Sequence, residues 1–250
     1  MPQTAQPSHP NDPVAIVTGG SRGIGRAVVD ALLRKDHTVW FCSRSQGSVD
    51  RALSDLEPIF PGRVFGRAVD VGDEESVRSF VAEVDETHGR IDVLVNNAGL
   101  GLFAPVDEIS GDDWRRLIRA NLDGPFYCTH AVAPVMKRRG DGFILNLASL
   151  AGRNAFAGGA AYNATKFGLV GFSEACMLDL RGDGIRVSCI LPGSVDTEFF
   201  DAIGSPGATA RDNMLRAEDV AQTVLDLLSY PARALPSRLE IRPSMRKPKD

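Results

Sequence analysis

The sequence predicts an α/β fold, a single doubly wound parallel sheet with helices on both faces, and three observations carry that prediction. Short β-branched runs alternate with longer amphipathic stretches from Val14 to Ser229. The short runs are apolar at almost every position, as strands covered on both faces must be. A glycine cluster stands where the first run gives way to the first amphipathic stretch. Such alternation implies right-handed crossovers and places ligands outside the carboxyl ends of the strands.

The elements follow in order. Val14-Ala15-Ile16-Val17 reads as the first buried strand and Ile24 to Arg34 as its helix. Thr38 to Cys42 is a strand, Val49 to Leu56 a helix, Val64 to Val69 a strand and Glu74 to Thr87 a helix. Ile91 to Val95 supplies the fourth strand. Asp112 to Arg138 reads as one long helix that Pro125 and Pro134 would disturb. Phe143 to Leu147 and Ile185 to Leu191 are strands flanking a helix from Ala161 to Arg181, and Glu218 to Ser229 is the last clear helix. Arg238 to Arg242 is the final candidate strand. Residues 1–13 read as a disordered lead-in, 14–245 as one domain, and 246–250 as a basic tail containing Arg246, Lys247 and Lys249. From about 197 to 217 there is no sustained helical pattern, which reads as a short mobile lid.

Composition narrows the function classes. With 250 residues, 43% apolar and 24% charged, the chain can bury a sizeable core. A net charge of −4 gives no reason to expect nucleic acid or an anionic membrane as partner. Cys42, Cys128, Cys176 and Cys189 show no C-x-x-C spacing, and three of them lie in apolar segments, so a reduced, cytoplasmic protein with free thiols is expected. The histidines, His9, His37, His88 and His130, are scattered without ligand spacing, and no metal is expected. No apolar stretch approaches the ~18 residues of a membrane span, and the N-terminus lacks a charged-then-apolar signal.

Thr18-Gly19-Gly20-Ser21-Arg22-Gly23-Ile24-Gly25 joins the first strand to the first helix. Glycines there allow a tight turn, close approach to a pyrophosphate and close helix packing, while the helix N-terminus offers N–H groups to the anion. The spacing is G-x-x-x-G-x-G, not the commoner G-x-G-x-x-G, so the reading rests on its position after a strand. The second strand runs into Cys42-Ser43-Arg44, with no carboxylate to accept from a ribose 2′-hydroxyl. Arg44 with Arg22 would clamp a 2′-phosphate, which favours NADP(H) over NAD(H).

Tyr162 and Lys166 stand four residues apart in a predicted helix, with Ser149 upstream at the end of an apolar run. An i,i+4 pair shares one helix face, about 5–6 Å apart at Cβ. Two unit charges 4 Å apart at an effective dielectric of 20 interact by about 4 kcal/mol. A cation so placed would bring a phenol down toward neutrality, making Tyr162 a proton donor and acceptor.

With these residues in view the chain resembles the short-chain dehydrogenase/reductase family, in its compact branch similar to the 3-oxoacyl-[acyl-carrier-protein] reductases. The resemblance covers Val14 to Leu228. It rests on the glycine turn, Asn96-Asn97-Ala98-Gly99 after the fourth strand, Asn121, Ser149, the Tyr162/Lys166 pair, and Pro192-Gly193 with Thr197. It implies a Rossmann-like fold in which Tyr162 transfers the proton and Ser149 holds and polarises the carbonyl oxygen. Lys166 would lower the tyrosine pKa and bind the nicotinamide ribose, and Asn121 would order a water-linked relay. The implied cofactor path runs through Gly19, Ser21, Arg22, Gly23, Ile24, Gly25, Ser43, Arg44, Asp70, Val71, Asn97, Ala98, Gly99, Tyr162, Lys166, Pro192, Gly193, Val195 and Thr197. Asp70 would bond the adenine edge and Thr197 the nicotinamide carboxamide.

The leading expectation is an NADP(H)-dependent oxidoreductase moving a hydride between nicotinamide and a carbonyl or secondary alcohol substrate. A 3-oxoacyl reductase working on acyl-carrier-protein thioesters is the alternative; it would want a basic docking face, for which Lys137-Arg138-Arg139 is suited and Asp179 and Asp183 are not. A non-catalytic cofactor-sensing scaffold would be expected to lose Tyr162 or Lys166, and neither is lost. Sugar epimerases and dehydratases using the same pair usually carry a larger substrate domain. Phe103, Phe156, Phe199 and Phe200 either wall an apolar pocket or pack in the core. The two long helices offer faces for a homodimer or homotetramer, although the C-terminus departs from the glycine-rich ending of many relatives.

Overall fold

A computed structural model describes residues 12–199 and 213–244. Most of the expected N-terminal lead-in, most of the expected lid with Phe200, and the basic tail lie outside the described residues. In chain order the elements are β1 (Val14–Thr18), α1 (Gly23–Leu33), β2 (Thr38–Ser43), α2 (Gln46–Leu56), β3 (Val64–Ala68), α3 (Glu74–His88) and β4 (Val93–Asn96). Then come α4 (Gly111–Ile118), α5 (Gly124–Arg139), β5 (Gly142–Leu147), α6 (Ala160–Leu180), β6 (Ile185–Pro192), α7 (Ala217–Ser229) and β7 (Arg238–Ile241). Every expected strand is present, and every expected helix but the one from Asp112 to Arg138, with ends displaced by a few residues at most.

The seven strands are all parallel, in the order β3-β2-β1-β4-β5-β6-β7. Alternate residues of β1 face opposite layers: Ala15 and Val17 pack with α1, α2 and α7, while Val14 and Ile16 pack with α3, α5 and α6. Burial on both sides is why β1, β4 and β5 are apolar without alternation. The order reverses between β1 and β4, so a crevice opens above the carboxyl ends of these neighbours. Thr18 closes its floor, accepting at Oγ1 from the N–H groups of Asn97 (3.0 Å) and Ala98 (2.9 Å).

The expected single helix from Asp112 to Arg138 is instead three consecutive pieces. Between α4 and α5 lies a π-helical segment, Arg119–Asp123, where the Gly124 N–H donates to the Arg119 carbonyl five residues back. Pro125 is the cause: in α-helical register its nitrogen would face the Asn121 carbonyl with no N–H to give. The chain widens by one residue there, and single-turn π segments of this kind are frequent at functional sites. Pro134 is accommodated within α5.

Just after β6 the chain pairs with the segment at Leu215. The Asp196 N–H donates to the Leu215 carbonyl (2.8 Å) and the Leu215 N–H to that of Ser194 (2.9 Å), forming an isolated parallel bridge between Val195 and Leu215. Among the described residues, no helix is long and apolar enough to cross a membrane.

Candidate active site

One cleft of about 830 Å³ follows the carboxyl edge of the sheet. At its middle is the turn between β1 and α1. Gly19 has φ +67°, a left-handed conformation that a side chain would strain, and a Cβ on Gly25 would collide with the Gly19 carbonyl and the Asn97 side chain. The Asn97 amide donates to the carbonyls of Thr18 (2.8 Å) and Gly19 (3.2 Å), fixing the turn against β4. Asn97, Ala98 and Gly99 all line the cleft beside Gly23 and Ile24.

The end of β2 forms one wing. Ser21 Oγ donates to Ser43 Oγ at 3.1 Å, joining the glycine turn to the strand end. Arg44 is exposed on the cleft wall and has no hydrogen-bond or ion-pair partner among the described residues. Ser45 and Ser48, not anticipated from the sequence, line the same wing. Arg22 departs from the expected pairing with Arg44: its guanidinium reaches across the cleft mouth to Glu198 at 2.9 Å, with both side chains largely exposed. That carboxylate follows Thr197 on the far rim, 176 residues away in sequence.

Asp70 and Val71 close the wall after β3. Asp70 accepts from the Gly72 N–H at 3.0 Å and stands 3.8 Å from Arg119, a cleft residue absent from the sequence reading. It does not begin the next helix. Asp73 caps α3 by accepting from the N–H groups of Glu75 and Ser76. On the opposite rim, Pro192, Gly193, Val195 and Thr197 line the cleft, with Thr197 Oγ1 3.4 Å from the Val195 carbonyl.

The other wing lies at the end of β5, three strand steps from β2 and so roughly 14 Å away. Ser149 ends this strand region and accepts from the Ala151 N–H at 3.1 Å; Tyr162 and Lys166 rise beside it from α6. All three line the cleft. Tyr162 is 8% exposed and Lys166 7%. Burial pushes the Tyr162 phenol up from its usual 10 to about 12, against a hydrogen bond with Ser149 that pulls it down. Burial pulls the Lys166 ammonium from 10.5 down to about 8.

This corrects the expectation of an acidified phenol. The amine shares the tyrosine's helix face but reaches past it, donating to the Leu147 carbonyl at 3.1 Å with Nζ 5.7 Å from the ring centre. Desolvation decides the direction for both groups.

Asn121 sits in the π segment between α4 and α5. Only 1% exposed, its side chain donates to the Leu100 carbonyl (2.9 Å) and Thr165 Oγ1 (3.1 Å) and accepts from the Leu100 N–H (2.8 Å). It ties the loop after β4 to α6, behind the cleft wall. Asn163 was missed. This 5%-exposed residue beside Tyr162 bonds three backbone groups of the loop after Ser149. An asparagine inside a helix, where it is a poor former, was the available signal.

The comparisons with known proteins agree with this geometry. Residues 13–206 match the model of the short chain dehydrogenases. Sulfoacetaldehyde reductase 2 of Chromohalobacter salexigens is 32% identical over 92% of this chain and 94% of its own. The 3-oxoacyl-[acyl-carrier-protein] reductase of Thermotoga maritima is 32% identical over 86% and 90%. Among solved structures, an alcohol dehydrogenase of the archaeon Thermococcus sibiricus, complexed with 5-hydroxy-NADP, superposes with a TM-score of 0.86 at 30% identity, over 96% of this chain and 100% of that one. Several further neighbours are complexes with NADP+ or NADPH. The chain belongs to the short-chain dehydrogenase/reductase family, whose members are oxidoreductases acting on hydroxyl and carbonyl groups.

Proposed function

We propose that the protein is an NADP(H)-dependent oxidoreductase that interconverts a carbonyl compound and its secondary alcohol. The observation that carries this reading is the meeting of Ser149, Tyr162 and Lys166 at one wing of a cleft whose other wing holds Ser43 and Arg44. The cleft's own residues fit a dinucleotide. The side-chain-free cradle at Gly19 and Gly25 suits a pyrophosphate, and an unpaired Arg44 next to Ser43 suits a 2′-phosphate better than a neutral ribose.

When bound, the reduced cofactor supplies a hydride to the substrate carbon. The chain supplies everything else. Ser149 donates a hydrogen bond to the carbonyl oxygen, and Tyr162, whose phenol near 12 stays protonated at neutral pH, gives that oxygen its proton. Lys166, mostly charged at neutral pH with its value near 8, would hold the ribose and stabilises the phenolate left behind. Arg44, with Ser21 and Ser43, would hold the 2′-phosphate. Asp70 would hold the adenine and Thr197 the carboxamide. The overall change is ketone, NADPH and a proton to secondary alcohol and NADP+.

A 3-oxoacyl-[acyl-carrier-protein] reductase is the second reading, supported by the Thermotoga maritima relative. The docking face expected for it is weakened by pairing: Lys137, Arg138 and Arg139 bind Asp183, Asp85 and Asp92 at 2.7, 2.6 and 3.6 Å. Exposed Phe126 on α5 and Phe167 and Leu178 on α6 support a homodimer or homotetramer through these helices. Four buried free cysteines support a reducing, cytoplasmic setting. The test is NADPH consumption matched mole for mole by alcohol formed from a panel of ketones and aldehydes. Tight NADPH binding with no consumption across the panel would instead favour a sensing scaffold.

A further inference from the structure

Three phenylalanines from three different segments gather on the Tyr162 side of the cleft. Phe103, between β4 and α4, meets Tyr162 edge to face with ring centres 5.3 Å apart, and Phe156, between β5 and α6, meets Phe103 in the same manner at 5.2 Å. Phe199, shortly after β6, lies 6.1 Å from Tyr162. Its ring occupies the space that a side chain on Gly101 would need. All four rings line the cleft.

Charge is arranged to the opposite effect. Of the cations on the cleft wall, Arg22, Arg116 and Arg119 face Glu198, Asp113 and Asp70 at 2.9, 2.9 and 3.8 Å, and Lys166 is bonded to Leu147. Arg44 stands at the far wing. Among the described residues, the one cation beside the aromatic wall that lacks an anionic partner is Lys166, at the Tyr162 end with Nζ 5.7 Å from that ring centre, so a carboxylate or sulfonate at the Phe103 and Phe156 end would lose its hydration without compensation.

The geometry points to a neutral aryl ketone, or the matching secondary alcohol, as the substrate of this site. Its ring lies against Phe103 and Phe156, and its carbonyl oxygen lies at Ser149 and Tyr162. Aromatic rings favour edge-to-face and offset contacts, which a flat aryl group can make with this wall and a saturated ring cannot. This inference rests on the carbonyl reduction proposed above.

The test compares acetophenone with cyclohexyl methyl ketone, 4-acetylbenzoate and acetoacetyl-CoA, by NADPH consumption. In parallel, saturation-transfer NMR on the protein with NADP+ reports binding without turnover. The expected result is a kcat/KM for acetophenone roughly 100-fold above that for 4-acetylbenzoate, the size set by stranding a charge. Saturation transfer should appear for acetophenone and not for 4-acetylbenzoate. Phe103→Leu should lower the acetophenone to cyclohexyl methyl ketone ratio about fivefold, the share expected of ring-to-ring contact. Equal use of 4-acetylbenzoate or acetoacetyl-CoA, or a ratio unmoved by Phe103→Leu, overturns the substrate class while leaving the reduction intact. NADPH binding with no ketone reduced overturns the reduction itself, and saturation transfer to both aryl ligands alike then overturns the neutral seat as well.

Discussion

Lys166 Nζ donates to the Leu147 carbonyl at 3.1 Å while standing 5.7 Å from the centre of the Tyr162 ring, so the amine is anchored to the end of β5 and not to the phenol. Ser149, not the amine, is the neighbour that pulls the phenol down. Both side chains are buried, and burial moves each toward its neutral form, the phenol to about 12 and the amine to about 8. Near neutral pH each therefore keeps its proton, with the lysine close to losing its own.

Lys166 should accordingly lower stability in a pH-dependent manner. In the unfolded chain it titrates near 10.5 and in the fold near 8, a difference of about 3 kcal/mol. Below pH 8 both states hold the proton and the penalty is complete. Between 8 and 10.5 the unfolded state binds more protons, so stability rises with pH. Tyr162 acts in the opposite sense only above about 10, where the unfolded phenol ionises first. Lys166→Met should thus be roughly 2 kcal/mol more stable than the parent at pH 7 by urea unfolding, with the advantage fading as pH 10 is approached. A difference that stays constant over this range would show that burial does not set the lysine's titration.

Arg44 is the unpaired cation at the β2 wing. Arg44→Ala should weaken NADPH binding by at least about 30-fold, as expected for loss of charge-assisted bonds to a phosphate, and leave NADH nearly unaffected. Arg22→Ala should matter less, because Arg22 already spends its charge on Glu198. Fluorescence titration of both cofactors checks this, and equal losses for NADPH and NADH would remove the 2′-phosphate argument.

Asn121 ties Leu100 to Thr165 through three hydrogen bonds, the one to Thr165 buried and the two to Leu100 partly so. Asn121→Ala should strand the Leu100 N–H and carbonyl and lower stability by about 2–4 kcal/mol. Chemical unfolding reads this directly. A loss below about 0.5 kcal/mol, the range of an ordinary surface change, would mean the brace is not needed.

The strands and most helices were legible because each is written in a local pattern, such as the unbroken apolar run of β1 or the 3.6-residue rhythm of α3. The features that escaped depend on partners distant in sequence. Spacing shows that Tyr162 and Lys166 share a face, yet it cannot show that a four-carbon stem carries the amine to Leu147, 19 residues away. Arg22 looks like a phosphate ligand until Glu198 is folded onto it. Pro125 was visible as a disturbance, but a proline alone does not tell whether a helix breaks, kinks or, as around Asn121, widens into a π segment. The positions that did appear in advance, among them Ser149, Gly25 and Asn97, sit where a strand ends, and strand ends are what the apolar runs mark most clearly.

The most direct measurement is single-turnover reduction of a ketone by NADPH in Tyr162→Phe, alongside NADPH affinity in the same variant. Removing one phenolic oxygen should leave the dissociation constant within about threefold and slow hydride transfer by a factor on the order of 100 to 10,000, the usual worth of a positioned proton donor. Unchanged turnover with intact binding would contradict the assignment of the proton to Tyr162.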